Sequence, residues 1–229
     1  MLPTRALLVV ATSVTLYSPA YPQKIAKGLV GYWSLDEGSG TEAKDKSPNG
    51  LHGEVKGAVW QDGKKGNGLY FDGNDSVEVA NRPALEIRGD ITIAAWVKKD
   101  KPNEFKRWDA IVSKTPGKWD YELLTSKAKS DEVAFFSPTG NPKEVYSGRP
   151  VPSGRWCHVA ITRTGDQVRL YLDGVLANTV TMSGSFPVNG GPLQIGLDGA
   201  KQVNGMIGAI DEVYLFNRAL TEAEIKTLL

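Results

Sequence analysis

The chain has 229 residues, with 27 lysines and arginines against 26 aspartates and glutamates and a formal net charge of +1. That length suits one large β domain, and the balanced charge, with no run of five or more like charges, excludes a nucleic-acid footprint and a polybasic membrane anchor. The 25 glycines and 13 prolines exceed what a helical protein tolerates, and the single cysteine, Cys157, excludes an intrachain disulfide.

In chain order, the first segment reads MLPTRALLVVATSVTLYSPAYPQ, with Arg5 as its only early charge, an apolar run from Ala6 to Tyr17, and the small residues Ser18 and Ala20 beyond it. This is the pattern of a signal peptide over residues 1–20, and a secreted, extracellular protein is expected. The apolar run is short of the ~20 residues that span a bilayer, so a membrane span is not expected; an ordinary N-terminal strand is the other reading.

From Gly28 onward come short runs of strand length and β-rich composition: LVGYWSL, GLYFDG, SVEVA, ITIAAWVKK, DAIVSK, YELLTS, EVAFFS, RWCHVAITRT, QVRLYLDG, VLANTVTM, PLQIGL and AIDEVYLF. Asp-Gly pairs at 62–63, 72–73, 173–174 and 198–199 punctuate them with hairpin chemistry. No βαβ alternation is present. About a dozen such strands pack as two facing antiparallel sheets, so the expectation is an all-β sandwich of jelly-roll type over residues 28–229. One helix is signalled, at the C-terminus, where Thr221-Glu222-Ala223-Glu224 forms a capping box and Ile225, Leu228 and Leu229 make an apolar stripe.

The last strand carries two adjacent acids. Side chains alternate along a strand, so Asp211 shares a face with Val213 and Leu215, while Glu212 shares the other with Ile210, Tyr214 and Phe216. Asp211 is expected to point inward, where a buried carboxylate needs a partner, and Glu212 outward, where it is replaceable.

GLVGYWSLDEGSGTEAKDKSPNGLHGEV, GLYFDGNDSVEV, DITIAAWVK, GRWCHVAITRTGDQVRLYLDGV and GAIDEVYLFNRALTEAEI, in that order and spacing, resemble the concanavalin A-like lectin/glucanase superfamily, and within it the bacterial laminin G-like jelly-roll domains. The resemblance covers roughly residues 28–229. It implies a sandwich of two curved sheets, an extracellular setting, and frequently a structural calcium ion. It also implies that the first strand neighbours the IDEV strand. A calcium site is therefore expected from Asp211 with Asp36, Asp45 and Asn49, since Ca²⁺ takes 6 to 8 oxygen ligands. The other reading is that Asp45 and Asn49 shape an Asx turn and Asp211 accepts from loop N–H groups.

No catalytic set is expected. The E-x-D-x-x-E strand of laminarinase-type members is absent, and Gln194-Ile195-Gly196 stands where alginate-lyase-like relatives carry Gln-Ile-His. Asp120, Glu122, Asp131 and Glu132 read as hairpin or strand-edge charges, and His52 and His158 have no nucleophile partner in the sequence. Cys157 reads as a small buried hydrophobe. Sugar-binding sandwiches use aromatic platforms flanked by polar groups, and the irregular middle of the chain supplies Trp108, Trp119, Tyr121 and Tyr146 with Arg107 and Arg149; packing within the sandwich is the competing role for Trp119 and Tyr121. Trp33, Trp60, Trp96 and Trp156 are assigned to the core. The expected function is a secreted, monomeric, non-catalytic carbohydrate-binding or adhesion domain that takes a polysaccharide or glycan. A protein-recognition laminin G-like module, a divergent glycosidase or lyase, and a sandwich with no small ligand are the alternatives.

Overall fold

In this computed structural model the structure describes residues 23–100, 108–114, 120–126, 131–187, 190–199 and 205–229; the expected signal peptide, Arg107 and Trp119 lie outside them. The helical turn α1 (Gln23–Ala26) leads into β1 (Leu29–Trp33), β2 (Glu42–Ala43), β3 (Gly53–Lys56), β4 (Val59–Asp62), β5 (Asn67–Asp72) and β6 (Ser76–Val79). Then come β7 (Ile91–Lys99), β8 (Trp108–Lys114), β9 (Glu122–Ser126), β10 (Glu132–Phe136) and β11 (Glu144–Pro150). The chain continues through β12 (Cys157–Thr164), β13 (Gln167–Leu172), β14 (Val175–Thr181), β15 (Leu193–Ile195), β16 (Ile207–Phe216) and α2 (Glu222–Lys226).

The strands form two eight-stranded antiparallel sheets. The first runs β14-β13-β12-β7-β16-β5-β4, with β1 also paired to β16; the second runs β11-β10-β9-β8-β15-β6-β3-β2. The hairpin between β13 and β14 turns on Asp173 and Gly174, both at positive φ (49° and 72°), as the Asp-Gly signal predicts for a two-residue turn. β2, β3, β4 and β11 were not legible as strands; three of them are short, and β11 runs through Gly148 to Pro150.

Cross-strand neighbours share a face, so the register sorts residues into rows. Val145, Phe135, Leu123, Val112, Ile195, Val77 and Val55 follow one another across seven strands of the second sheet. All seven belong to the core between the sheets, opposite Ile93, Val97, Val159, Ile161, Ile210, Val213 and Leu215 of the first. Trp33 lies wholly inside this core and donates its indole N–H to the Leu51 carbonyl (2.8 Å). Cys157 is buried there too, and burial pushes its thiol up to about 12, which agrees with an inert packing role.

A second apolar cluster covers the outer face of the first sheet: Leu29, Tyr32, Ala94, Ala160, Tyr171, Tyr214 and Phe216 beneath Leu220, Ile225 and Leu228. The helix that seals it starts as its sequence signals, with the capping box between Thr221 and Glu224 formed. Arg218 donates to both oxygens of Glu224 (3.0 and 2.8 Å), and this pairing holds the Glu224 carboxyl down at about 2.

Candidate functional site

The acids on β16 do not alternate as expected. Register shifts between Asp211 and Tyr214 because Glu212 is bulged, at φ 53°, and a bulge inserts one residue and reverses the parity beyond it. Ile210 and Val213 therefore both reach the core, and Asp211, paired to Trp96, turns to the outer face of the first sheet. Glu212 is not a replaceable surface acid: it is 4% exposed, and its oxygens accept from the hydroxyls of Tyr32 (2.7 Å) and Tyr214 (3.0 Å), with the Lys65 ammonium at 3.5 Å. The two tyrosine rings stack at 4.2 Å.

Asp211 accepts three backbone N–H bonds, from Lys64 (2.8 Å), Lys65 (2.9 Å) and Glu212 (2.8 Å). Burial still pushes its carboxyl up to about 7 against the pull of those donors. The carboxylate fits because Gly63 has no side chain: a Cβ there would meet Asp211 Oδ2 at 2.8 Å.

The other residues of the expected calcium set are occupied in the same way. Asp45 accepts from Tyr32 N (2.9 Å) and Ser47 N (2.7 Å) on one oxygen, and from Ser47 Oγ (2.7 Å) and Leu51 N (2.8 Å) on the other. Asn49 presents its NH₂, a donor, to the carbonyls of Leu29 and Val30. Asp36 accepts from Asn67 N (3.1 Å). Both carboxylate oxygens of Asp45 face donors and Asn49 turns its nitrogen inward, so this arrangement does not fit Ca²⁺, which needs oxygens converging on one point. Among the described residues no group of three or more His, Cys, Asp or Glu side chains is placed to hold a metal ion. Hydrogen bonds tie the 45–51 loop to β1 and the 63–65 turn to β16.

On the second sheet, the row beside the core row faces outward: Glu144, Phe136, Glu122, Ser113, Gln194, Glu78 and Glu54. Next to it lie Tyr146, Ala134, Leu124 and Ala110, and then Glu132, Ser126 and Trp108. Short side chains (Ala110, Ser113, Ser126, Ala134) make the floor, which is closed to solvent, while Trp108, Phe136, Glu144, Tyr146 and Glu78 are half-exposed around it. The polar groups are partly linked. Ser113 Oγ donates to Glu122 (3.0 Å), Gln194 Nε2 to Glu78 (3.3 Å), and Lys56 bridges Glu78 (3.0 Å) and Glu54 (3.5 Å). Gln194 Oε1 is buried without a hydrogen-bond partner. The Tyr146 hydroxyl donates to Glu144, and burial, with that bond second, raises its pKa.

Of the expected ligand contacts, Trp108 and Tyr146 lie on this outer face and Arg149 is exposed on β11. Tyr121 does not: it is fully buried in the core, donates its hydroxyl to the Leu85 carbonyl (3.1 Å) and packs on Phe186. Asp120 beside it is also wholly buried, with both oxygens unpartnered, and desolvation pushes its carboxyl up to about 7. Trp60 packs only partly on the core, Trp156 is half-exposed, and Trp96 lies on the outer face of the first sheet beside His158 (5.3 Å between ring centroids), with the Lys64 ammonium 4.3 Å above it. His158 is buried with neither ring nitrogen partnered, and burial lowers it to about 4. Glu122, Ser113, Gln194, Glu78 and Phe136 were missed; the alternation Glu122, Leu124, Ser126 in ELLTS was the available signal that β9 turns a polar face away from the core.

The sequence model of the concanavalin A-like lectin/glucanases superfamily matches residues 71–226. The chain belongs to that superfamily. No curated protein matches it. Among solved structures, this lectin/glucanase-type sandwich is similar to the binding domain of Paraclostridial Mosquitocidal Protein 1, with a TM-score of 0.70 at 18% identity over 89% of this chain and 52% of that one. Domain 4 of AbnA, a GH43 extracellular arabinanase from Geobacillus stearothermophilus solved with arabinotriose, gives 0.68 at 18% identity over 87% and 97%. Trypanosoma rangeli sialidase gives 0.62 at 20% over 88% and 32%. The chain thus spans about half of the toxin binding domain and about a third of the sialidase. At these identities the likeness shows a shared fold.

Proposed function

We propose that the protein is a secreted, non-catalytic carbohydrate-binding domain and that the outer face of the second sheet meets the sugar. The observation that carries this reading is the cross-strand row from Glu144 to Glu54, in which the half-exposed Glu144 and Glu78 and the exposed Glu54 flank the buried Glu122, Ser113 and Gln194, beside the half-exposed rings of Trp108, Phe136 and Tyr146. Sugar hydroxyls need such acceptors and donors, and pyranose faces need flat apolar rims. The arabinotriose complex of the AbnA domain supports a glycan as ligand class, and the N-terminal segment supports export.

The spacing of the acids argues against glycoside hydrolysis. Strands lie about 4.8 Å apart, so the backbones of Glu122 and Glu144 stand about 10 Å apart and those of Glu122 and Glu78 about 14 Å along the row, wider than the roughly 5 Å at which a retaining pair holds its carboxyl groups. Glu78 and Glu54 are adjacent, but Lys56 lies between them as a shared ion-pair partner, which neutralises the pair at the sheet edge. Calcium forms no part of the proposal. A glycan array covering plant, algal and microbial polysaccharides tests the reading: retention of at least one glycan is expected, and silence across the array overturns it. In that event the exposed side chains of Val175, Leu176 and Leu229, the last of them beside Gly174, favour a protein partner.

A further inference from the structure

An open cavity lies on the first sheet, on the opposite side of the sandwich from the face assigned to sugar. It holds about 500 Å³ between the outer sides of β12, β13 and β14, Asp90 just ahead of β7, and the 218–222 segment that leads into α2. Cross-strand register sets its floor. Arg169 stands opposite Thr162 on β12, and Tyr171 stands opposite Ala160 on β12 and Leu176 on β14. Tyr171 and Leu220 add buried apolar surface, and Leu176 is an exposed apolar wall. The volume and the mixed lining are those of a small-molecule site.

Four charged side chains line the cavity: Asp90, Arg169, Arg218 and Glu222. Two are neutralised within the fold, Arg218 by Glu224 (3.0 and 2.8 Å) and Glu222 by Lys226 (2.6 Å). The other two are not. Asp90 accepts from Thr164 Oγ1 (2.9 Å) and Gly165 N (3.0 Å), both uncharged donors. Arg163, whose charge reaches Asp90, gives its own hydrogen bonds to the carbonyls of Gly165, Met182 and Gly184. Arg169 donates to the amide oxygen of Gln167. Thr164, which holds Asp90, and Thr162, which faces Arg169, are two residues apart on one side of β12, about 7 Å, so the carboxylate and the guanidinium are set side by side without pairing. An acid and a base held apart over apolar surface complement a molecule with an ammonium group, a carboxylate and an apolar body, and the arginine fork suits a carboxylate in particular. We propose that this cavity binds a free α-amino acid with a large apolar side chain. Its ammonium group meets Asp90, its carboxylate meets Arg169, and its side chain packs on Leu176 and Tyr171. A simple anion is repelled by Asp90 and a simple cation by Arg169, so neither charge alone satisfies the pair. The site does not depend on the sugar-binding reading.

Chemical-shift titration of the full-length protein with leucine, methionine, phenylalanine and tryptophan at millimolar concentration tests this. Saturable shifts of the Arg169, Tyr171 and Leu176 amides are expected with at least one of them; no saturable shifts, or shifts confined to other parts of the molecule, overturn the proposal. The N-acetyl and methyl-ester forms of the amino acid that binds lack its ammonium and its carboxylate charge, and each is expected to bind about tenfold or more weakly. Equal binding of either form overturns the assigned roles. Asp90→Asn and Arg169→Gln are expected to weaken binding by a similar factor. If Asp90→Asn does not fold, Arg169→Gln keeps the test, since Arg169 is held by Gln167 alone among the bonds described; a folded Arg169→Gln that binds as wild type does overturns the proposal.

Discussion

The two outer faces of this sandwich carry similar residues to opposite ends. On the first sheet, acids and tyrosines are turned on one another under α2: Glu212 is satisfied by two tyrosine hydroxyls and Asp211 by three N–H groups. On the second, the acids line up with an amide whose oxygen has no partner and with aromatic rings that reach solvent. Counting carboxylates does not locate a site. What separates the faces is what packs on top: α2 and its apolar residues cover the first, while on the second the rings of Trp108, Phe136 and Tyr146 stay half-exposed.

The contrast predicts that damage to the first face costs stability and damage to the second costs binding. The largest effect is expected for Glu212→Ala, which takes a buried acceptor from two tyrosines and a counter-charge from Lys65: about 3–5 kcal/mol in chemical denaturation, with glycan retention of the folded fraction unchanged. A loss under 1 kcal/mol would show that the bulged acid is not a structural centre.

Asp120 comes next, on the order of a few kcal/mol. Between the ordinary carboxylate value of 3.8 and its native value of about 7, the native state keeps a proton that the unfolded chain has released, so this residue lowers stability as pH rises through that window. His158 works the other way. Its native value of about 4 lies below the ordinary 6.5, so the unfolded chain takes up the proton first and stability falls as pH drops from 6.5 toward 4. Asp120→Asn is expected to stabilise the protein at pH 7 relative to pH 4, and His158→Phe to flatten the acid limb, both read from urea midpoints at pH 4, 5.5 and 7. Unchanged pH profiles would mean that neither group is desolvated in solution.

Thr221→Ala, which removes the cap of the sealing helix, is expected to cost about 1 kcal/mol and to leave binding intact. The smallest effect expected is none: a saturating chelator leaves the melting temperature unchanged, because the oxygens of Asp45 and Asp211 already accept hydrogen bonds. A fall of several degrees would restore a metal to the fold.

The strands and the capped helix were legible because alternation and capping are local. ITIAAWVKK occupies β7 residue for residue, and Thr221 caps α2 as its sequence states. The orientation of Asp211 was not legible, since the bulge at Glu212 is an insertion relative to β7 and exists only in the pairing. The outward row was hidden for the same reason: Glu122, Ser113, Gln194 and Glu78 come from four strands separated by up to 116 residues, and only register aligns them. Tyr121 was misplaced because a single aromatic at a strand start carries no sign of which sheet face it joins.

The outer face of the second sheet is proposed to bind sugar, while that of the first seals the fold. The glycan array probed in parallel with wild type, Trp108→Ala and Thr221→Ala tests it most directly. At least one retained glycan is expected, with retention weakened about tenfold or more by Trp108→Ala, in keeping with a loss above about 1 kcal/mol for an aromatic anchor, and unchanged in Thr221→Ala. A retained glycan that Trp108→Ala leaves untouched and Thr221→Ala abolishes would contradict it, placing the binding face on the opposite sheet.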